Sequence, residues 1–172
     1  MSRGWFDAYE SNLRSGSRLS VGANARRSLT DRVDLFGEFG AHWRRAESAV
    51  FEGREFSARL NFDYSLGAAG TAYLTGEYRR GDTFASGFGN LWNLNNAEVF
   101  VRDDALEGGD FFAYRFEADT VLGTLGYNRP LGPRDSIDFS YRRVRTKPLD
   151  ATGSGPSKYD VNQYFILYLM RF

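Results

Sequence analysis

Cysteine is absent from this chain. That rules out a disulfide framework and is compatible with an oxidising compartment. No apolar run approaches the roughly 18–20 residues that a helix needs to cross a bilayer, so a helical membrane protein is excluded. A β-barrel escapes that test, because lipid-facing and interior-facing residues alternate along each strand and average out. Charge of one sign is also missing: 22 basic residues meet 22 acidic ones, which argues against a nucleic-acid partner. Lysine is nearly absent, with Lys147 and Lys158 alone among many arginines. Met1-Ser2-Arg3-Gly4-Trp5 contains no apolar h-region, so no export signal is visible. An exported protein needs one, and the chain therefore reads as a mature or truncated form. What is abundant is aromatic residues, at 16%, and glycine, at 19 positions. Both suit strands joined by tight turns.

A chain of 172 residues makes one domain, 1–172, or the C-terminal part of a larger one. Period-two alternation predicts strands over 5–14, 18–27, 32–44, 54–66, 71–80, 111–128, 136–145 and 164–172. The fourth is the clearest: Phe56, Ala58, Leu60, Phe62, Tyr64 and Leu66 share one face, with Glu55, Ser57, Arg59, Asn61 and Asp63 opposite. The first is the weakest, with apolar residues in both phases. Short turns are expected at 15–17, 28–31, 67–70 and 129–135, and longer connections at 45–53, 81–110 and 146–159. The strand over 111–128 exceeds the 9–11 residues or so that cross a membrane, so it should project beyond it or contain a bulge. Phe112, Tyr114, Phe116, Ala118 and Leu122 are expected on one of its faces and Arg115, Glu117 and Asp119 on the other.

The last strand organises the reading. Counting back by twos from the terminus gives Phe172, Met170, Tyr168, Ile166 and Tyr164, all large and apolar or aromatic. This ending resembles the C-terminal strand of bacterial outer-membrane β-barrel proteins, in which a terminal Phe with aromatic or apolar residues at alternating positions is the assembly signal. The resemblance implies an all-β fold, an antiparallel transmembrane β-barrel of eight strands running up and down, in the outer membrane. It also implies the lipid bilayer with its lipopolysaccharide and the barrel assembly machinery as partners. Short turns alternate with longer connections as that architecture requires, except that the first connection is as short as a turn. Charges are expected inside, where Arg59, Asp63, Glu77, Arg79, Arg115, Glu117, Asp119, Asp138 and Arg142 form a lumen network of mixed sign. Tyr78–Asp82 and the stretch from Leu125 to Ser136 are similar in style to the C-terminal barrels of larger secretion and surface-export proteins.

The functional expectation is a structural or adhesion barrel, or the barrel part of an export channel, with no cofactor and no metal. Two alternatives stay open. A lipid-modifying acyl hydrolase or transferase would use His42 as base with Ser57 and Glu55 beside it. A soluble lipocalin-like binding barrel would place the apolar face inward. The 81–110 segment is a candidate plug, strand extension or protein-docking loop. Its acidic residues Asp103, Asp104, Glu107 and Asp110 read as a solvated patch, since no calcium-loop spacing is present.

Overall fold

A computed structural model of the chain describes residues 2–4, 13–88, 97–103, 110–149 and 158–170. They form one antiparallel sheet, with no α-helix among the described residues. The strands are β1 (Ser2–Gly4), β2 (Gly16–Thr30), β3 (Val33–Ala46), β4 (Gly53–Ser65), β5 (Thr71–Phe88), β6 (Val99–Arg102), β7 (Phe111–Pro130), β8 (Asp135–Pro148) and β9 (Tyr159–Met170). Eight of them follow chain order, β1-β2-β3-β4-β5-β7-β8-β9, up and down. β6 lies off that path. It pairs with the upper part of β7, from Val99 opposite Arg115 to Arg102 opposite Phe112, and prolongs the ladder beyond the end of β8.

The alternation predicted for the middle strands is present as a continuous register. Phe39 lies opposite Ala58, which lies opposite Tyr78, which lies opposite Val121. One row further, on the other face, Glu38, Arg59 and Glu77 align across β3, β4 and β5. Two-residue periodicity carries these rows, because successive side chains alternate between the faces of a pleated strand.

One expectation needs correction and two are refined. The sheet is open: among the described residues β9 pairs with β8 alone. β2 is covered on its far side by β1 at Gly16, Ser17 and Arg18 only. β2 and β9 run the same way through an alternating sheet, and β1, the strand antiparallel to both, is described over only 3 residues, too few to bridge the two edges. Second, the strand expected over 5–14 falls mostly outside the described residues. Leu13 and Arg14 occupy a turn, residues 5–12 lie outside the described residues, and Gly16 already belongs to β2. Gly16 lies so close to β3 that a Cβ there would stand 2.0 Å from the Arg45 carbonyl oxygen. The backbone N–H groups of Glu47 and Ser48 donate to Ser15 and Leu13 at 3.0 and 3.2 Å, tying this turn to the β3–β4 connection. The turn at Leu13 to Ser15 therefore lies at the same end of the sheet as the β3–β4 connection. Third, the segment 81–110 follows its strand-extension reading where it is described. β5 runs on to Phe88 against β7, and β6 occupies 99–102; residues 89–96 and 104–109 lie outside the described residues.

Gly81 makes the extension of β5 possible. Its φ of +139° is a conformation that side chains avoid, and a Cβ would meet the Arg54 carbonyl oxygen at 2.1 Å. Past this point β5 leaves β4 and the paired strands rise above the sheet. There the principal apolar cluster forms: Val50, Phe51 and Ala113, with Leu13, Ala46, Phe84, Val99 and Val101 packed around them. Val50 and Phe51 sit in a single 3-10 turn, Ala49–Phe51, capped by Ser48. Arg115 holds that turn by donating to the Ala49 and Glu52 carbonyls at 2.7 and 3.0 Å.

At the opposite end, Tyr73 on β5 crosses β7 to donate its hydroxyl to Asp138 on β8 at 2.9 Å. The ring passes over Gly126, where a Cβ would fall 2.1 Å from the ring carbon bearing the hydroxyl. Gly126→Ala should displace the tyrosine and strand a carboxylate that is only 9% exposed. The expected cost is about 1–3 kcal/mol, read from urea unfolding. In a Tyr73→Phe background the same substitution should cost distinctly less, and equal losses in both backgrounds would refute the contact's role.

Candidate functional site

The sheet's two faces have opposite characters. The face carrying Leu19, Val21, Phe39, Phe56, Leu60, Phe62, Leu74, Val121, Leu125 and Ile166 is exposed: Leu60 at 54%, Leu125 at 60% and Ile166 at 70%. The polar face is the more enclosed one. Along β4 the even positions Phe56, Ala58, Leu60, Phe62 and Tyr64 are exposed, whereas Glu55, Ser57, Asn61 and Asp63 are half-buried. A protein in water arranges its faces the other way round, because exposed apolar area is what folding removes from solvent.

A charged rim bounds the apolar belt at one end. On the side of the long connections, Asp160 accepts from Arg145 at 3.1 Å and from Arg143 at 3.4 Å, with Lys158 3.9 Å away. The Arg145 hydrogen bond is the main cause holding the Asp160 carboxyl below its ordinary range. Arg80 lies 3.9 Å from both Glu117 and Asp119, and the Tyr78 hydroxyl donates to Asp119 at 2.6 Å. Aromatics lie along the belt's borders: Trp43 packs edge-on against Phe56 with ring centroids 6.4 Å apart, and Tyr141 stacks on Tyr164 at 5.2 Å.

β9 places Tyr164, Ile166, Tyr168 and Met170 on the belt, opposite Tyr141, Phe139, Ile137 and Asp135 of β8. The strand begins at Tyr159, five positions before the expected start, and Phe172 lies outside the described residues. Its other face carries Val161, Phe165, Leu167 and Leu169, so the strand is apolar on both sides.

Of the nine residues expected in a lumen network, Arg59, Asp63, Glu77, Arg79, Asp138 and Arg142 share the polar face by register. Arg79 pairs with Glu77, and Arg142 reaches Thr124 at 3.4 Å. The other three are placed differently. Arg115 holds the 3-10 turn above the sheet and approaches Asp82 and Glu98 at 3.7 and 3.4 Å. Glu117 and Asp119 meet Arg80, and Asp119 stands in the row beyond exposed Val121. The sequence phase of β7 was carried from Phe112 through Leu122. In the structure Leu122 lies opposite Glu77 on the polar face, and Val121 and Leu125 take the apolar one.

His42 accompanies Ser20, not Ser57. Its Nδ1 lies 2.9 Å from the Ser20 hydroxyl, across the β2–β3 ladder. Glu55 is directly opposite His42 on β4, and Ser57 borders the same patch, its hydroxyl 3.0 Å from where a Cβ on Gly40 would stand. Among the described residues no hydrogen bond joins Ser57 to His42, so the expected base and nucleophile are neighbours that are not connected. Ser20 was missed because its own strand carried no motif; only the β2–β3 register reveals it. Asp103, expected to be solvated, is 3% exposed and takes Arg14 at 2.7 Å and the Ser86 hydroxyl at 2.6 Å. Among the described residues no group of His, Asp or Glu is arranged to hold a metal ion.

The polar face deepens towards the long connections into a cavity of about 720 Å³, lined from β2 (Gly16, Arg18) through His42, Arg44, Glu55 and Arg79 to Thr120 and Thr146 on β7 and β8. A cavity touched by strands so far apart in the sheet shows that the sheet curls around its polar face.

No protein-family model, curated protein or solved structure matches the chain.

Proposed function

We propose that this chain is an integral outer-membrane protein of the β-barrel kind, whose apolar belt faces lipid and whose polar face lines the interior. It acts as a structural or adhesion barrel, or as the barrel part of an export channel. The observation that carries the reading is the inverted polarity: the exposed face is the apolar one, over most of the sheet, while the enclosed face holds the charges. Contiguous apolar surface of this kind marks an interaction with lipid or protein, and the charged rim and bordering aromatics at the long-connection end fit a bilayer interface. The same polarity weighs against a soluble binding barrel. The unconnected Ser57 and His42 give the acyl-transfer alternative no assembled nucleophile. The bilayer with its lipopolysaccharide and the barrel assembly machinery are the partners this reading requires.

Lipid imposes one further demand. Unpaired backbone groups cannot remain at a lipid-exposed sheet edge, so the edges at β2 and β9 must be satisfied in the membrane. One strand antiparallel to both fits between them, and β1 has the right direction at the head of that slot. Hydrogen exchange of the chain folded in phosphatidylcholine vesicles tests this. The β2 amides from Leu19 to Thr30 and the β9 amides should be protected as strongly as those of β4. Exchange of both edges within seconds, in protein shown to be inserted, would defeat the barrel reading. Recovery of a monodisperse protein without detergent would defeat the membrane reading altogether.

A further inference from the structure

We propose that the cavity at the long-connection end of the polar face is a binding site for an oxyanion of the phosphate class, gripped by Arg44 with Arg18 and the Thr120–Thr146 hydroxyl pair.

Arg44 is the central observation. An arginine carries five N–H donors, and among the described residues Arg44 uses one hydrogen bond, to the Arg14 carbonyl oxygen at 3.3 Å. No carboxylate of the described residues lies within ion-pair distance of it. Two rings hold its guanidinium in place: Phe51 at 5.9 Å and Phe84 at 5.7 Å from centroid to charge centre. The group is therefore positioned without being neutralised. Its neighbours increase the positive charge. Arg18 is directly opposite it in the β2–β3 register, an arrangement of like charges that destabilises a strand pair. Arg14 lies over the same Phe51 ring at 4.6 Å. Both Arg14 and Arg18 act on Arg44 as like charges.

The far wall supplies hydroxyls. Thr120 lies opposite Arg79 in the β5–β7 register, and its Oγ1 is 3.0 Å from that of Thr146. In such a pair one hydroxyl donates to the other and the second proton remains free to donate to a ligand. The carboxylates of the lining are Glu55 and Asp82. Asp82 is already engaged, accepting from the Arg54 backbone N–H at 2.7 Å and facing Arg115 at 3.7 Å. Arg79 and Arg14 of the lining are already paired with Glu77 and Asp103, so the site rests on Arg44, which has no carboxylate of the described residues at ion-pair distance. A tetrahedral oxyanion meets planar guanidinium forks and hydroxyl donors with its several oxygens, which a halide cannot do. The ligand chemistry is a phosphate or phosphate ester, and its source is either a free solute or a lipid headgroup.

The test does not depend on the membrane reading, because it uses the full chain folded in amine-oxide micelles that contain no phosphate. Inorganic phosphate is titrated by calorimetry at low salt, and binding to phosphatidylcholine vesicles with and without phosphatidylglycerol is measured in parallel. Saturable phosphate binding should weaken about tenfold or more in Arg44→Gln, the scale of losing a charge-assisted hydrogen bond. Arg145→Gln, which removes the same charge from the rim, should leave it unchanged. Thr120→Val keeps the shape and charge of the site and should weaken binding several-fold, which covers the case in which Arg44→Gln fails to fold. Arg44-dependent binding of inorganic phosphate supports the site with a free anion as ligand. Arg44-dependent binding seen only with phosphatidylglycerol supports it with a headgroup as ligand. Absence of both, or binding that Arg44→Gln and Thr120→Val leave intact, overturns the proposal.

Discussion

Leu60→Arg is expected to destabilise the folded chain in lipid vesicles by about 2–4 kcal/mol, the cost of an arginine on the lipid face near the bilayer midplane. Leu60 is central in the exposed series Phe56, Ala58, Leu60, Phe62 and Tyr64 of β4. Its register partners are Gly37 on β3 and Gly76 on β5. A guanidinium placed there has no neighbouring side chain on either adjacent strand to pair with, and it must reach a rim or remain in hydrocarbon. Were this face in water, the same change would replace an exposed leucine with an exposed arginine and cost almost nothing, since surface substitutions usually stay within about 0.5 kcal/mol. Asn61→Arg is the matched control. Asn61 is on the polar face and donates to Asp63 at 2.8 Å, so a new cation has a carboxylate at hand. Reversible urea unfolding of both variants in vesicles, followed by tryptophan fluorescence, gives the comparison. Equal losses for the two substitutions would remove the distinction between the faces.

The second large effect concerns the last strand. Tyr168→Asp places a charge between Ile166 and Met170 on the belt, opposite Ile137. It should abolish delivery of the chain to the outer membrane in cells carrying an exported form, as should deletion of Phe172. The resemblance of this ending to a barrel assembly signal rests on these positions. Gln163→Ala, on the polar face opposite Arg142, should leave delivery near the wild-type level. Heat-modifiable migration of the folded form in gels reads the outcome. Normal folded protein after Phe172 removal would count against the assembly signal, and normal folding of Tyr168→Asp would count against the belt itself.

The parts of the fold legible in the sequence were those in which one physical pattern acted alone. In β3, β4 and lower β5 the alternation is strict, and the register places Phe39, Ala58 and Tyr78 on one face as expected. β7 was harder because two environments meet within one strand. Its upper half is packed on both sides, with Ala113, Tyr114, Phe116 and Ala118 all buried, so alternation there no longer reports which face is enclosed. Extending that phase downward misplaced Glu117 and Asp119. The expected end of the fifth strand at Arg80 was early because a glycine at 81 reads as a turn, although β5 continues through it to Phe88. The His42–Ser20 contact and the Arg14–Asp103 pair depend on residues that are distant in sequence and carry no local motif. Only the assembled sheet brings them together.

The order of strands has a kinetic consequence. Nearly every ladder joins strands adjacent in the chain; the β5–β7 pairing is interrupted only by the short β6. Most of these pairings close short loops, and the entropy cost of closure grows only slowly with length, so zipping can start at several places and spread by neighbours. The edges at β2 and β9 belong to the two ends of the chain. In the proposed barrel, satisfying them is the long-range event, and non-local contacts of that kind set the pace of folding. Refolding into vesicles should therefore resolve into a fast phase that forms most of the sheet and a slower one in which both outer strands gain protection together.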